Sequence, residues 1–138
     1  MASFEILDHT GDIGIRVTAL SREELFKSAA AAMLRLMVQP AVASGKISKN
    51  ISVTGDDDEQ LLVNWLSEIN FYFQTEQFLT SHISSFGIRK DELSATVRGD
   101  TIDLSVQPVL MDIKAVTYHK IYIKTENGLW SAQIIFDV

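Results

Sequence analysis

The sequence predicts an α+β fold, two helices packed on antiparallel β-sheet, and three observations lead there. Two stretches carry apolar residues at helical spacing, several shorter ones alternate apolar and polar residues, and Gly-Asp or Asn-Gly pairs separate alternating runs in the second half. The 138 residues, 46% hydrophobic, fit a single compact domain over 1–138 whose core needs no covalent staple.

The elements follow in order. "FEILD" and "IGIRVTA" read as strands, the second placing Ile13, Ile15 and Val17 on one face and Gly14, Arg16 and Thr18 on the other. Ser21 followed three residues later by Glu24 is a capping-box pair, and Leu25, Ala29, Ala32, Met33 and Leu36 continue at helical spacing. That helix ends before Pro40. "AVASGKISKNISVTG" reads as a loop entering a strand, after which "DDDEQLL" opens a second helix with carboxylates at its positive dipole end. Its buried stripe is Leu62, Trp65, Leu66, Ile69 and Phe73, and within "FYF" Tyr72 alone reads as exposed. "LSATVRGDTIDLSV" reads as a hairpin turning at Gly99 and Asp100, and "KAVTYHKIYIKTENGLWSAQIIFDV" as another turning at Asn127 and Gly128.

Composition narrows the function. The absence of cysteine excludes disulfides, thiolate zinc sites and cysteine nucleophiles. "MASFEILDHTGD" is acidic where a targeting segment is basic and then apolar, and no apolar run approaches the roughly 20 residues of a membrane span, so the expected location is the cytoplasm. A net charge of −6, from 12 Lys and Arg against 18 Asp and Glu, argues against strong direct nucleic-acid binding. It favours a basic protein partner or a hard cation held by carboxylate oxygens.

Conspicuous residues divide into structural and chemical candidates. "DDDE" at 56–59 suits a helix start, and "RGD" at 98–100 is an ordinary tight-turn pair rather than an adhesion motif. His119 shares a strand face with Thr117, Ile121 and Ile123 and reads as a hydrogen-bonded core residue, while His82 lies in a polar segment without a carboxylate at useful spacing. His9 sits in "DHTGD", the densest polar site, but a nucleophile built from Thr10 and His9 lacks a recognisable elbow or phosphate loop. Asp12 immediately precedes one strand, and Asp137 with Val138 closes another. Spacing leaves open whether these ends are neighbours. If they are, their oxygens repel one another without a cation and form a hard-ligand site with one.

Taken together, "FEILDHTGDIGIRV", "LLVNWLSEINFYF", "KAVTYH" and the closing "IFDV" occur along the whole chain in the order found in the archease family, which the sequence resembles. The resemblance implies an accessory protein rather than an enzyme. It implies a partner, the GTP-dependent tRNA-splicing RNA ligase, which joins 3′-phosphate or cyclic-phosphate ends to 5′-hydroxyl ends and whose guanylylation and multiple turnover the accessory protein promotes. It also implies a divalent cation, calcium or magnesium, with the Asp12 and Asp137 carboxylates and the α-carboxylate of Val138 as ligands. Asp8 and His9 are candidates to support Asp12, and Lys114 is a candidate either to contact the ligase or simply to solvate a strand. Two departures stand out: Gly11 occupies a position commonly alanine, and "LSVQPVLMD" lacks the histidine or arginine associated with that region. The competing readings are a chaperone-like module with exposed apolar surface, and a hydrolase or transferase using His9 and Asp12 that turns over a phosphoester alone.

Overall fold

A computed structural model describes residues 2–9, 11–38, 45–103, 105 and 109–138, with the side chains of Asp8 and His9 outside that description. Strand β1 (Ser3–His9) turns back into β2 (Asp12–Ala19), and helix α1 (Arg22–Met37) follows. Ser21 caps α1, its hydroxyl accepting from the Glu24 N–H at 3.1 Å, so the helix starts at the N-cap the sequence predicts. Pro40 lies outside the described residues. After β3 (Ile47–Thr54), helix α2 (Asp58–Glu76) begins at the acidic run, where Asp57 accepts from Gln60 N at 2.8 Å and Gln60 Oε1 accepts from Asp56 N at 2.6 Å. The Asp57 carboxylate therefore serves the helix start, and Asp58 adds an ion pair to Arg22 at 3.4 Å.

Two antiparallel sheets result. One has the order β1-β2-β8-β6, with β7 (Tyr122–Glu126) also paired to β8 (Leu129–Asp137) and β6 (Ala115–Val116) reduced to two residues. The other has the order β3-β5-β4, built from β4 (Phe78–Arg89) and β5 (Glu92–Thr101). Both helices touch strands of both sheets. The predicted stripes are buried along α1 and α2, and with Ile13, Ile15, Val17, Ala132, Ile134 and Phe136 they form one cluster around Trp65. Trp65 Nε1 donates to Phe26 O at 3.0 Å, which satisfies the one polar atom of that indole. Among the described residues no helix is long and apolar enough to cross a membrane.

Three expectations are corrected. The hairpin turn is not at Gly99 and Asp100, since β5 runs through both and the chain turns at Lys90 and Asp91, with Lys90 at φ 57°. Gly99 serves a close approach instead: a Cβ there would sit 2.0 Å from Leu79 O. Asp100 accepts from the backbone of Gly45 and Lys46 at 3.0 and 3.3 Å. The polar stretch around His82 belongs to β4, where register shifts between Thr80 and His82 and between Ile83 and Ser85 break the alternation that marks a strand. In α2 the exposed aromatic is Phe71 at 54%, while Tyr72 packs its ring edge-on against Phe78. The Asn127–Gly128 hairpin forms as predicted, with both residues at positive φ.

Candidate functional site

The site is a product of strand register. Antiparallel pairing of β2 with β8 sets Ile13, Ile15 and Val17 opposite Phe136, Ile134 and Ala132, and these six enter the core. Alternation then sends Asp12, Gly14 and Arg16 to the other face with Asp137, Ile135 and Gln133. Asp12 and Asp137 are thereby direct cross-strand partners. On the far side of β8, Ala115 pairs with Asp137, and the Lys114 N–H donates to Asp137 O at 2.8 Å.

Two carboxylates placed so repel each other unless something positive lies between them. Among the described residues the ion pairs join Arg16 to Glu5, Arg22 to Asp58 and Lys49 to Glu76, and none reaches Asp12 or Asp137. Asp12 Oδ1 is buried without a hydrogen-bond partner among the described residues. An ionised oxygen in that position is costly until a donor or cation meets it. Asp137 is exposed at the strand end, and the adjacent Val138 packs its side chain against the core.

The third wall comes from a feature the alternation of "KAVTYHKIYIK" conceals. Strands β6 and β7 pair with the same edge of β8, and residues 117–121 bulge out between them. Thr117 Oγ1 donates to Ile135 O at 2.8 Å and accepts from the His119 N–H at 3.2 Å, while Gln133 Nε2 donates to Lys120 O at 2.9 Å. Lys120, at φ 53°, completes the reversal. His119 is therefore an exposed turn residue, not a core histidine, and it lines a shallow cleft of about 290 Å3 with Gly11, Asp12, Thr117 and Asp137. Lys114 has an exposed side chain beside the same strand end.

The hairpin before the site is partly outside view. Register sets His9 opposite Asp12 and Asp8 opposite Ile13, but both side chains, and all of Thr10, lie outside the described residues, as does their suggested support of Asp12. Gly11 turns at φ 81°, a conformation that would strain a residue carrying a Cβ.

Oxygen donors of this kind suit a hard cation such as calcium or magnesium, and the unpaired Asp12 Oδ1 is the atom that would gain most from one. Among the described residues no three His, Asp or Glu side chains gather closely enough to make a metal centre, so these two carboxylates alone would not complete the coordination of a cation. Two residues at the margin went unnoticed in the sequence, Asn70 and Gln133, both buried; Asn70 is marked by a polar side chain inside the apolar stripe of α2, whereas Gln133, on the outer face of β8, carries no such signal.

Comparison with known proteins gives this arrangement a lineage. Residues 4–138 match the Archease protein family. A protein archease of Methanosarcina barkeri is 35% identical over 140 residues, covering 98% of this chain and 95% of the relative. One of Sulfolobus acidocaldarius is 30% identical over 142 residues, covering 100% of both. The solution structure of a Methanobacterium thermoautotrophicum protein superposes with TM-score 0.83 at 31% identity, over 98% of each chain. An archease crystal structure from Thermotoga maritima shares the fold, with TM-score 0.70 at 19% identity over 96% of this chain and 94% of that one. With sequence match and fold both running nearly end to end, from the hairpin that carries Asp12 to the strand that carries Asp137, this chain belongs to the archease family.

Proposed function

We propose that this archease is an accessory protein of the GTP-dependent RNA ligase that seals tRNA exon halves and repairs RNA, and that it promotes ligase guanylylation and repeated turnover from the Asp12–Asp137 cleft. The observation that carries the reading is the cross-strand carboxylate pair with Asp12 Oδ1 buried and unpaired. Asp12, Asp137 and the α-carboxylate of Val138 hold a calcium or magnesium ion. When bound, that ion neutralises the clustered charge and offers a hard electrophilic centre to oxygen ligands of the partner.

The chain's own residues do the rest. Asp12 and Asp137, fixed by opposite strands, present oxygens on the surface of the sheet, and the exposed Lys114 and His119 flank them with donors for the partner. A net charge of −6 draws the protein toward the basic cleft of a nucleotide-binding enzyme. Ligation under limiting ligase tests the proposal. Added archease should raise the number of RNA ends sealed per ligase molecule and leave a single pre-guanylylated turnover unchanged; no gain in repeated sealing refutes it.

The Thermotoga maritima archease is described as a possible chaperone, and Phe4, Ile6, Phe71 and Tyr118 are exposed on this chain. A general holding activity would suppress aggregation of unrelated unfolded proteins and survive Asp12→Asn, whereas the ligase activity would not.

A further inference from the structure

The buried polar side chains among the described residues are Asn70, Thr80 and Gln133, and two of them grip one stretch of backbone. From the helix side, Asn70 Nδ2 donates to Ile113 O at 2.9 Å; Gln74 Nε2 donates to the same carbonyl at 3.1 Å and to Asp112 Oδ1 at 2.9 Å. From the outer face of the sheet, Gln133 Nε2 donates to Lys120 O at 2.9 Å, while its Oε1 accepts from Arg16 Nε at 2.9 Å. Between those two carbonyls run Lys114, tied to Asp137 O, and Thr117 and His119, which wall the cleft.

We infer that Asn70 and Gln133 are positioning residues, a pair of buried amides that bracket residues 113–120 from opposite faces of the sheet and thereby set the cleft around Asp12 and Asp137. The functional consequence rests on the carboxylate-cation reading above; the bracket itself rests on geometry alone.

Stability does not account for Asn70. It lies on the stripe of α2 between Leu66 and Phe73, where leucine would pack without a polar atom to satisfy, and its Oδ1 is buried with no partner among the described residues. Nor is its donor needed to satisfy Ile113 O, which Gln74 already serves. What the second donor adds is direction: two N–H groups converging on one carbonyl fix the peptide that leads into Lys114. Gln133 does the equivalent for Lys120, and Arg16 holds Gln133 in the required orientation.

The test compares Asn70→Leu and Gln133→Glu with wild type, using Thr80→Val as a control for loss of a buried polar group elsewhere. Glutamate at 133 keeps the acceptor for Arg16 and removes the donor to Lys120 O. Three readouts are taken: amide hydrogen exchange at Lys114 and His119, calcium titration by calorimetry, and repeated sealing by limiting ligase. Asn70→Leu should melt at or above the wild-type temperature, yet exchange at Lys114 should quicken, and calcium affinity and stimulation should fall by about tenfold. Gln133→Glu should quicken His119 in the same way, and Thr80→Val should change none of the three. Unchanged exchange in both variants overturns the bracket. So does faster exchange with calcium affinity and stimulation at wild-type level. Should Asn70→Leu fail to fold, Gln133→Glu decides. If wild-type protein neither binds calcium nor stimulates, the proposed function falls, and exchange still decides whether the bracket exists.

Discussion

Asp12 condenses the chemistry of the site into one side chain. Its carboxylate faces Asp137 across the β2–β8 ladder, with one oxygen buried and without a donor among the described residues. Asp12→Asn removes one of two like charges without changing shape. In metal-free buffer the melting temperature should therefore hold or rise, by up to about 1 kcal/mol in stability, because like charges directly opposite each other destabilise a ladder. Calcium affinity by calorimetry and ligase stimulation should both drop at least about tenfold. Unfolding of the variant instead would make the aspartate structural. Zinc offers a further check, since an all-oxygen site should not prefer it, and tight zinc binding that depends on His9 or His119 would refute the ligand set. The kinds of residue involved were legible in the sequence, but spacing left their meeting open, since two aspartates near opposite ends of the chain carry no local signal of strand pairing; the family resemblance implied it, and the β2–β8 register pairs them. His119 was misplaced for a related reason, because "TYHKIYIK" alternates as if continuous while residues 117–121 leave the ladder.

At the scale of elements, helices proved more readable than strands. Ser21 with Glu24, and Asp57 with Gln60, are local signals whose hydrogen bonds form within the first turn, so both helix starts could be placed from sequence. β4 could not, because its bulges interrupt the two-residue period, and the glycine in "RGD" marks a backbone contact rather than a turn. Helix α2 ties the core to the site: Trp65 fills the centre, and Asn70 and Gln74, farther along, hold Ile113. Trp65→Ala should cost about 3–5 kcal/mol through the cavity and the lost indole hydrogen bond, enough to unfold a domain of this size. Its signature differs from that of Asp12→Asn: a large fall in melting temperature in calorimetry, with calcium affinity recovered in whatever fraction remains folded.

For the whole molecule, the governing feature is that β8 lies inside its sheet, bonded to β2 on one side and to β6 and β7 on the other. In the proposed site the α-carboxylate of Val138, the residue after Asp137, joins Asp12 and Asp137. A peptide extension beyond Val138 converts that carboxylate into an amide and adds bulk at the cleft, so a C-terminal tag should weaken calcium binding and ligase stimulation together, while an N-terminal tag should leave both intact. Equal stimulation by both tagged forms would remove the terminus from the ligand set. Deleting Val138 is the sharper measurement, because the new carboxylate sits one residue back on the strand and faces the other way.

The same topology has a consequence for protein synthesis. The β1–β2 hairpin leaves the ribosome well before β8 and carries only half of the carboxylate pair. Its partner arrives with β8, which must slot between strands already made. A nascent chain, or one whose closing strand has slipped out, cannot display the cleft, however well its helices have formed. If the proposed site holds its cation, cation capture would act as a certificate of completed folding, and the proposed ligase partner would meet only finished molecules.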